Sequence, residues 1–157
     1  MRVAEPATDQ FVDDLFEKLH THRQEALIHA ASASQARARV AAAARAWWDE
    51  FCQAVERKVD AWNAKDAPEA CIRHTRNADG SIVLWHRSVE AQLCLADARV
   101  VMVGRVGDTQ PRQTPFIEFS EARGTVSAIL AGAHAAKSPA AAADHLLAPI
   151  LTHAFGG

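Results

Sequence analysis

Residues 68–86 read PEACIRHTRNADGSIVLWH, and they contain the point at which the side-chain rhythm of the chain changes. Before them, apolar residues recur at spacings of three and four, which is typical of helices. From Pro68 onward, short runs alternate apolar and polar residues between turn residues, which is typical of strands. We therefore predict a single α+β domain, 1–157, with a helical part over 1–67, an antiparallel sheet of five to six strands over 68–136, and a C-terminal helix packed on the sheet over 137–157.

The turn inside this stretch predicts the register of the first hairpin. Asn77-Ala78-Asp79-Gly80 fits a type I turn closed by a glycine with positive φ, which gives a three-residue loop with a bulge. Pairing Asn77 with Ser81 then sets the cross-strand partners on both faces. The predicted partners are Arg76 with Ile82, His74 with Leu84, Ile72 with His86, and Arg73 with Trp85.

Two further hairpins follow. Alternation over Val89–Ala96 and Arg99–Val106 predicts a second pair of strands. Because no Gly or Pro separates Arg87 from Val89, one strand bent near Ser88 is an alternative to a turn there. A two-residue turn at Arg123-Gly124 predicts the last hairpin. It pairs Glu121 with Val126, Phe119 with Ala128, and Ile117 with Leu130.

The helical part contains two amphipathic runs, one from Thr8 to about Ala30 and one from about Gln35 to Lys65. The link 31–34 lacks Gly and Pro. A single helix over 8–65 would extend roughly 85 Å at 1.5 Å per residue, which is far longer than a domain of this size. We therefore predict a helical hairpin. The alternative is one long helix whose apolar stripe is buried in a dimer. Ser138-Pro139 predicts the start of the C-terminal helix, which Pro149 should bend or interrupt.

Composition argues against several classes of partner. The 157 residues carry 17 Lys and Arg against 19 Asp and Glu, a net charge of −2, so we expect no nucleic-acid binding. The 3 cysteines include no Cys-x-x-Cys pair, which argues against disulfides and zinc. No apolar run of about 18 residues is present, and the amino terminus lacks a secretion signal. We expect a cytoplasmic protein with no membrane contact and no cofactor.

The histidines are the compositional oddity. The predicted register places His74 and His86 on one sheet face as diagonal neighbours, but no third ligand is forced onto that face. The pairs His22 with His29 and His145 with His153 lie about two turns apart on their helices, too far to chelate without another group. We therefore predict no metal site.

Catalytic motifs are missing from the sequence. It has no glycine-rich phosphate loop, no Gly-x-Ser-x-Gly elbow and no His-Glu-x-x-His. Asp144 and His145, with Ser120 or Ser127, contain the residue types of a nucleophilic set. Adjacent residues on a helix, however, point about 100° apart, so Asp144 is badly placed to orient its neighbour. We assign no catalytic residue and favour a non-enzymatic role.

Two functional hypotheses remain. Trp47, Trp48 and Cys52 widen the apolar face of the second helical run, which predicts an interaction surface for a protein partner or a homodimer, unless the sheet packs over it. The alternative is a small-molecule or hydrolytic pocket between sheet and helices. It would lie under the loop Gly107–Pro115, with His74, Trp85 and His86 as candidate ligand-binding residues.

Overall fold

The computed structural model describes residues 6–65, 68–87, 89–106, 109–133 and 135–156. It confirms the α+β class, with a long N-terminal helix, an antiparallel sheet and a C-terminal helix. The elements are α1 (Pro6–Asn63), a 3-10 turn (Pro68–Ala70), β1 (Arg73–Arg76), β2 (Ile82–His86), β3 (Val89–Ala96), β4 (Arg99–Val106), β5 (Arg112–Ala122), β6 (Thr125–Leu130), β7 (Ala135–Ala136) and α2 (Pro139–Gly156).

The chain divides into two compact units, 1–38 and 39–157. The boundary lies inside α1, not at Pro68 where the side-chain rhythm changes. The described part of the first unit is the initial part of α1. The second unit contains the remainder of α1, the whole sheet and α2.

The predicted helical hairpin is wrong, because α1 runs without interruption from Pro6 to Asn63. The link 31–34 reads Ala-Ser-Ala-Ser, and neither residue type breaks a helix. A serine inside a helix costs only about 0.5 kcal/mol relative to alanine, far less than a glycine or a proline. Without a breaker, the helix continues.

The sheet has seven strands in the order β1 to β7, so each strand pairs with its neighbours in sequence. This is one strand more than the largest predicted number, and the extra one is the two-residue β7. Residues 82–86 and 89–96 form separate antiparallel strands, which excludes a single bent strand. Arg87 between them has a φ of 50°, a left-handed conformation that reverses the chain. Ser88 itself lies outside the described residues.

The two predicted turn registers are confirmed, except that the predicted pair of Ile72 with His86 lies outside the ladder, because β1 begins at Arg73. Arg73 pairs with Trp85, His74 with Leu84 and Arg76 with Ile82. In that turn the Asn77 amide donates to the Ser81 carbonyl at 2.9 Å, and Gly80 has a φ of 89°. In the last hairpin Glu121 pairs with Val126, Phe119 with Ala128 and Ile117 with Leu130.

One face of the sheet packs on the helices of the second unit and forms a single core. Its largest fully buried members include Phe51 and Val55 of α1, Leu84 and Leu93 of the sheet, and Ile117 of β5. A β-bulge between Val100 and Val101 inserts an extra residue, Phe116, into β5. The Phe116 ring is thereby buried, with its centroid 5.8 Å from that of Phe51.

The start of α2 is confirmed at the Ser138-Pro139 step. The Ser138 hydroxyl accepts from the Ala141 amide at 3.2 Å, as a helix cap does. Pro149 does not interrupt the helix, which continues to Gly156. Leu146 and Leu147 on this helix are buried in the core, so α2 covers the sheet as expected.

Candidate functional site

The first candidate surface lies on the first unit. Every described side chain from Asp9 to Ser32 is exposed to solvent. Large apolar side chains are among them, with Phe16 at 68% and Leu19 at 61% exposed. Those that share one side of the helix are named here the N-terminal stripe: Phe11, Val12, Leu15, Phe16, Leu19 and Leu27.

Charge is unevenly distributed along this segment. Residues 9–17 contain four acids, Asp9, Asp13, Asp14 and Glu17, and no base. Residues 18–38 contain three bases, Lys18, Arg23 and Arg37, and one acid, Glu25. The segment is therefore negative at its start and positive toward its end.

The predicted interaction residues of the second helical run lie elsewhere, inside the core. Trp48 is 2% exposed and Cys52 is fully buried. Trp47 is half-buried, and its ring stacks on that of Phe51 with centroids 5.1 Å apart. The indole Nε1 groups of Trp47 and Trp48 donate to the carbonyls of Lys137 and Gly80, each at 3.1 Å. The sheet thus covers the face of α1 that was predicted to bind a partner, because the side chains on that face form part of the core.

Burial also fixes the chemistry of Cys52. Loss of solvent raises the pKa of its thiol to about 12, although the nearby Arg76 charge opposes the shift. The thiol therefore stays protonated at neutral pH and is a poor nucleophile. Cys71, by contrast, is exposed.

His74 and His86 share the helix-facing side of the sheet, yet each has its own partner. The His74 ring Nε2 lies 3.0 Å from Asp60 Oδ1 on α1. The His86 ring is buried, and its Nε2 lies 2.6 Å from the Glu69 carbonyl. His86 Nδ1 is buried and has no hydrogen-bond partner in the described part of the chain. The two rings are thus engaged separately.

Trp85 lies on the opposite face of the sheet, because neighbouring residues of a strand alternate sides. There the Arg73 guanidinium carbon lies 5.4 Å from the ring centroid, within range of a cation–π contact. Trp85 and His86 therefore do not line a common cavity. Among the residues that the structure describes, no cluster of three His, Cys, Asp or Glu side chains is arranged to hold a metal ion.

The nucleophilic set around Asp144 does not assemble. The Asp144 carboxylate binds Lys58 Nζ at 2.6 Å, and the His145 ring instead lies beside Phe116, with centroids 6.4 Å apart. Ser120 and Ser127 pair with each other across β5 and β6. Their positions alternate with Phe119 and Ala128, which are buried in the core, so they face the other side of the sheet. The side chain of His153 is outside the described residues.

A second candidate site is a cleft in the second unit, between β3–β5 and α2. Its volume is about 560 Å³. Its floor includes Ala91 and Gly104, and its wall includes Leu146, Pro149 and Ile150 of α2. Thr109 and Gln110, which precede β5, also border it. A pocket between sheet and helix was predicted, but the candidate residues His74, Trp85 and His86 are not part of this one.

The predicted loop Gly107–Pro115 is shorter than expected, because β5 begins at Arg112. Gly107 and Asp108 lie outside the described residues. Thr109 closes a turn back to β4, where its hydroxyl donates to the Val106 carbonyl at 2.6 Å. The cleft residues that sequence reasoning missed are Gly104 and Arg112. A glycine within a strand run often marks a place where something approaches the backbone closely, and this was the available signal.

Comparisons with known proteins assign no relationship: no family model matches the chain, and no match is found among curated proteins or solved structures. Within the described residues, neither helix contains a stretch apolar and long enough to span a bilayer.

Proposed function

We propose that this protein is a non-enzymatic self-association module, in which the N-terminal stripe of one copy binds that of a second copy. The observation that carries the proposal is the exposure of the stripe: Phe16 and Leu19 are each more than half exposed. An isolated helix gains little stability in water from propensity alone and is normally stabilised by burying an apolar face. Large contiguous apolar surface on a protein commonly marks an interaction site.

The spacing of the segment supports helix-to-helix pairing. Val12, Leu19, Ala26 and Ala33 recur every seven residues, and Leu15 lies three residues after Val12. This is the spacing of the a positions of a coiled coil, in which Leu15 takes a d position and His22 and His29 take the next two. Neither Gly nor Pro interrupts residues 9–38.

Charge and size favour an antiparallel arrangement of the two copies. Antiparallel pairing places the acidic residues 9–17 of one copy against the basic residues 18–38 of the other, whereas parallel pairing places acid beside acid. An antiparallel register that sets the large Leu15 against the small Ala33 also sets Val12 against Ala36. Facing large and small side chains interdigitate efficiently.

Sedimentation equilibrium tests the proposal. We expect the wild type to form a dimer, and Leu15→Glu/Leu19→Glu to be monomeric, because the substitution places charges in the apolar seam. Thr21→Glu is the matched control, since Thr21 is exposed and lies about 200° around the helix from Leu19. A wild type that stays monomeric at all concentrations, or a double variant that still dimerises, contradicts the proposal.

Orientation has a separate test. Asp13→Asn/Asp14→Asn removes two acids outside the apolar stripe. In the antiparallel dimer this weakens association, because an attraction is lost. In a parallel dimer the same change strengthens association, because a repulsion is relieved. The sign of the change in dissociation constant therefore distinguishes the two arrangements.

A further inference from the structure

We propose that the cleft between β3–β5 and α2 binds a small amphipathic carboxylate, with its apolar body over Gly104 and its carboxylate on Arg112. This site is independent of the N-terminal stripe, since every residue that forms it belongs to the second unit. Its volume of about 560 Å³ lies within the range of small-molecule pockets, about 300–1,000 Å³.

The floor of the cleft is open because two neighbouring positions in one cross-strand row of the sheet are an alanine and a glycine. In that row Ala91 of β3 pairs with Gly104 of β4, and Gly104 pairs with Arg112 of β5. A Cβ added at Gly104 would meet only the Glu90 carbonyl oxygen, at 3.9 Å. The space above Gly104 is thus unfilled by the described part of the chain.

The surroundings of this gap are apolar. Met102 and Val106 flank Gly104 on the same side of β4, and Leu146 and Ile150 face it from α2. Val106 is 54% exposed, whereas other apolar residues of the sheet are buried in the core. An aliphatic or aromatic body seated in the cleft would remove this surface from water, which is the main source of affinity for such ligands.

Arg112 supplies the charge at one end of the open row. It is exposed, and in the described residues it forms no ion pair and no side-chain hydrogen bond. Arg105 and Glu90 also border the cleft, but they are paired with each other, with Arg105 Nη2 3.1 Å from Glu90 Oε2. A single free guanidinium matches one carboxylate, with which it forms two parallel hydrogen bonds.

Pro149 adds an acceptor to the same wall. A proline has no N–H, so Pro149 cannot donate to the carbonyl of His145, four residues earlier in α2. Both residues border the cleft. That carbonyl lacks its usual helical donor, and we infer that it accepts from a hydroxyl or amide on the ligand, in addition to the carboxylate contact at Arg112.

Calorimetric titration with dodecanoate below its micelle concentration tests the site, with dodecanol as the uncharged counterpart. The titrations use Leu15→Glu/Leu19→Glu as the parent chain, so that charges interrupt the N-terminal stripe and the outcome is independent of self-association. We expect the parent to bind dodecanoate. We expect Arg112→Gln to weaken dodecanoate binding at least about tenfold and to leave dodecanol binding unchanged.

Gly104→Val fills the gap and is expected to abolish binding of both probes. Gly104→Ala adds a smaller side chain and should weaken the binding of both. Thermal unfolding of these variants checks that they fold, which the free space at Gly104 predicts. Arg99→Gln is the matched control, because Arg99 is an exposed arginine of β4 outside the cleft. Absence of binding to the parent, or equal binding to parent and Gly104→Val, overturns the site. Equal dodecanoate affinity in parent and Arg112→Gln overturns the carboxylate assignment.

Discussion

The first and second halves of α1 carry similar apolar patterns but have opposite environments. Residues 9–32 are exposed throughout, including Phe16 and Leu19. Residues 44–59 contribute Phe51, Val55 and other side chains to the core. An apolar stripe therefore specifies a helix and a face that benefits from burial, but it does not specify what covers that face. In the second half the sheet does so, and for the first half we propose a second copy of the chain.

Hydrogen exchange should show the largest contrast between the two halves. Amides over 44–59 are expected to exchange only through opening of the core, whereas amides over 9–32 of the monomeric Leu15→Glu/Leu19→Glu variant exchange at least about a hundredfold faster. In the wild type, protection over 9–32 should increase with protein concentration. Equal protection of both halves in the variant would contradict the contrast in burial.

Truncation of one aromatic ring in each half should differ by several kcal/mol. Phe51→Ala leaves a cavity in the core and is expected to lower the free energy of unfolding by about 3–5 kcal/mol. Phe16→Ala removes an exposed ring and is expected to change it by less than about 0.5 kcal/mol in dilute protein. Denaturant unfolding followed by tryptophan fluorescence measures both. A similar loss in the two variants would show that Phe16 is buried in the monomer.

Cys52 predicts a loss of stability at high pH. The ordinary pKa of a cysteine thiol is near 9.0, whereas burial raises the pKa of Cys52 in the folded protein to about 12. The unfolded state therefore loses its proton first, so the free energy of unfolding falls as pH rises through that window. Cys52→Ala should flatten this dependence in urea titrations at several pH values. A second readout is thiol labelling, in which Cys71 should react in the folded protein and Cys52 only after unfolding.

The smallest effect is expected at an exposed ion pair near the unit boundary. Arg39 Nη2 lies 2.8 Å from Glu121 Oε1, and this contact holds the pKa of the Glu121 carboxyl below its usual value. A carboxyl whose pKa is lowered in the folded protein stabilises the fold at pH values above its ordinary pKa. This stabilisation is lost as the pH falls through the lowered pKa. Glu121→Gln should be slightly less stable than wild type at neutral pH and equally stable in acid. If the difference in stability between Glu121→Gln and wild type persisted in acid, the side chain would contribute through packing and not through its charge.

The strands and their registers were predictable where turn residues fixed them. Asn77–Gly80 and Arg123-Gly124 each allow few backbone geometries, so the cross-strand partners follow from counting residues. β7 was not predictable, because Ala135 and Ala136 have little preference for strands and pair only by lying next to β6. The helical hairpin was predicted wrongly because a single helix of roughly 85 Å was judged too long for a domain of this size.

The candidate sites were less accessible to sequence reasoning. Alternation along β2 already places Trp85 and His86 on opposite faces, so their exclusion from one pocket follows from the strand itself. The cleft depends on Gly104 and Arg112 lying in one row, and they are separated in sequence by a loop of unspecified register. The bulge at Phe116 also shifts β5, which local patterns do not show.

The sequence by itself determined the local geometry of this protein: which runs are helical, which alternate as strands, and where glycines reverse the chain, because these depend on neighbouring residues. Only the tertiary structure decided which apolar surfaces were used. It buried Trp48 and Cys52, left the N-terminal stripe in solvent, and opened a cleft above Gly104. The physical reason is that burial depends on which distant segments meet, and the hydrophobic effect has no direction that a local pattern could encode.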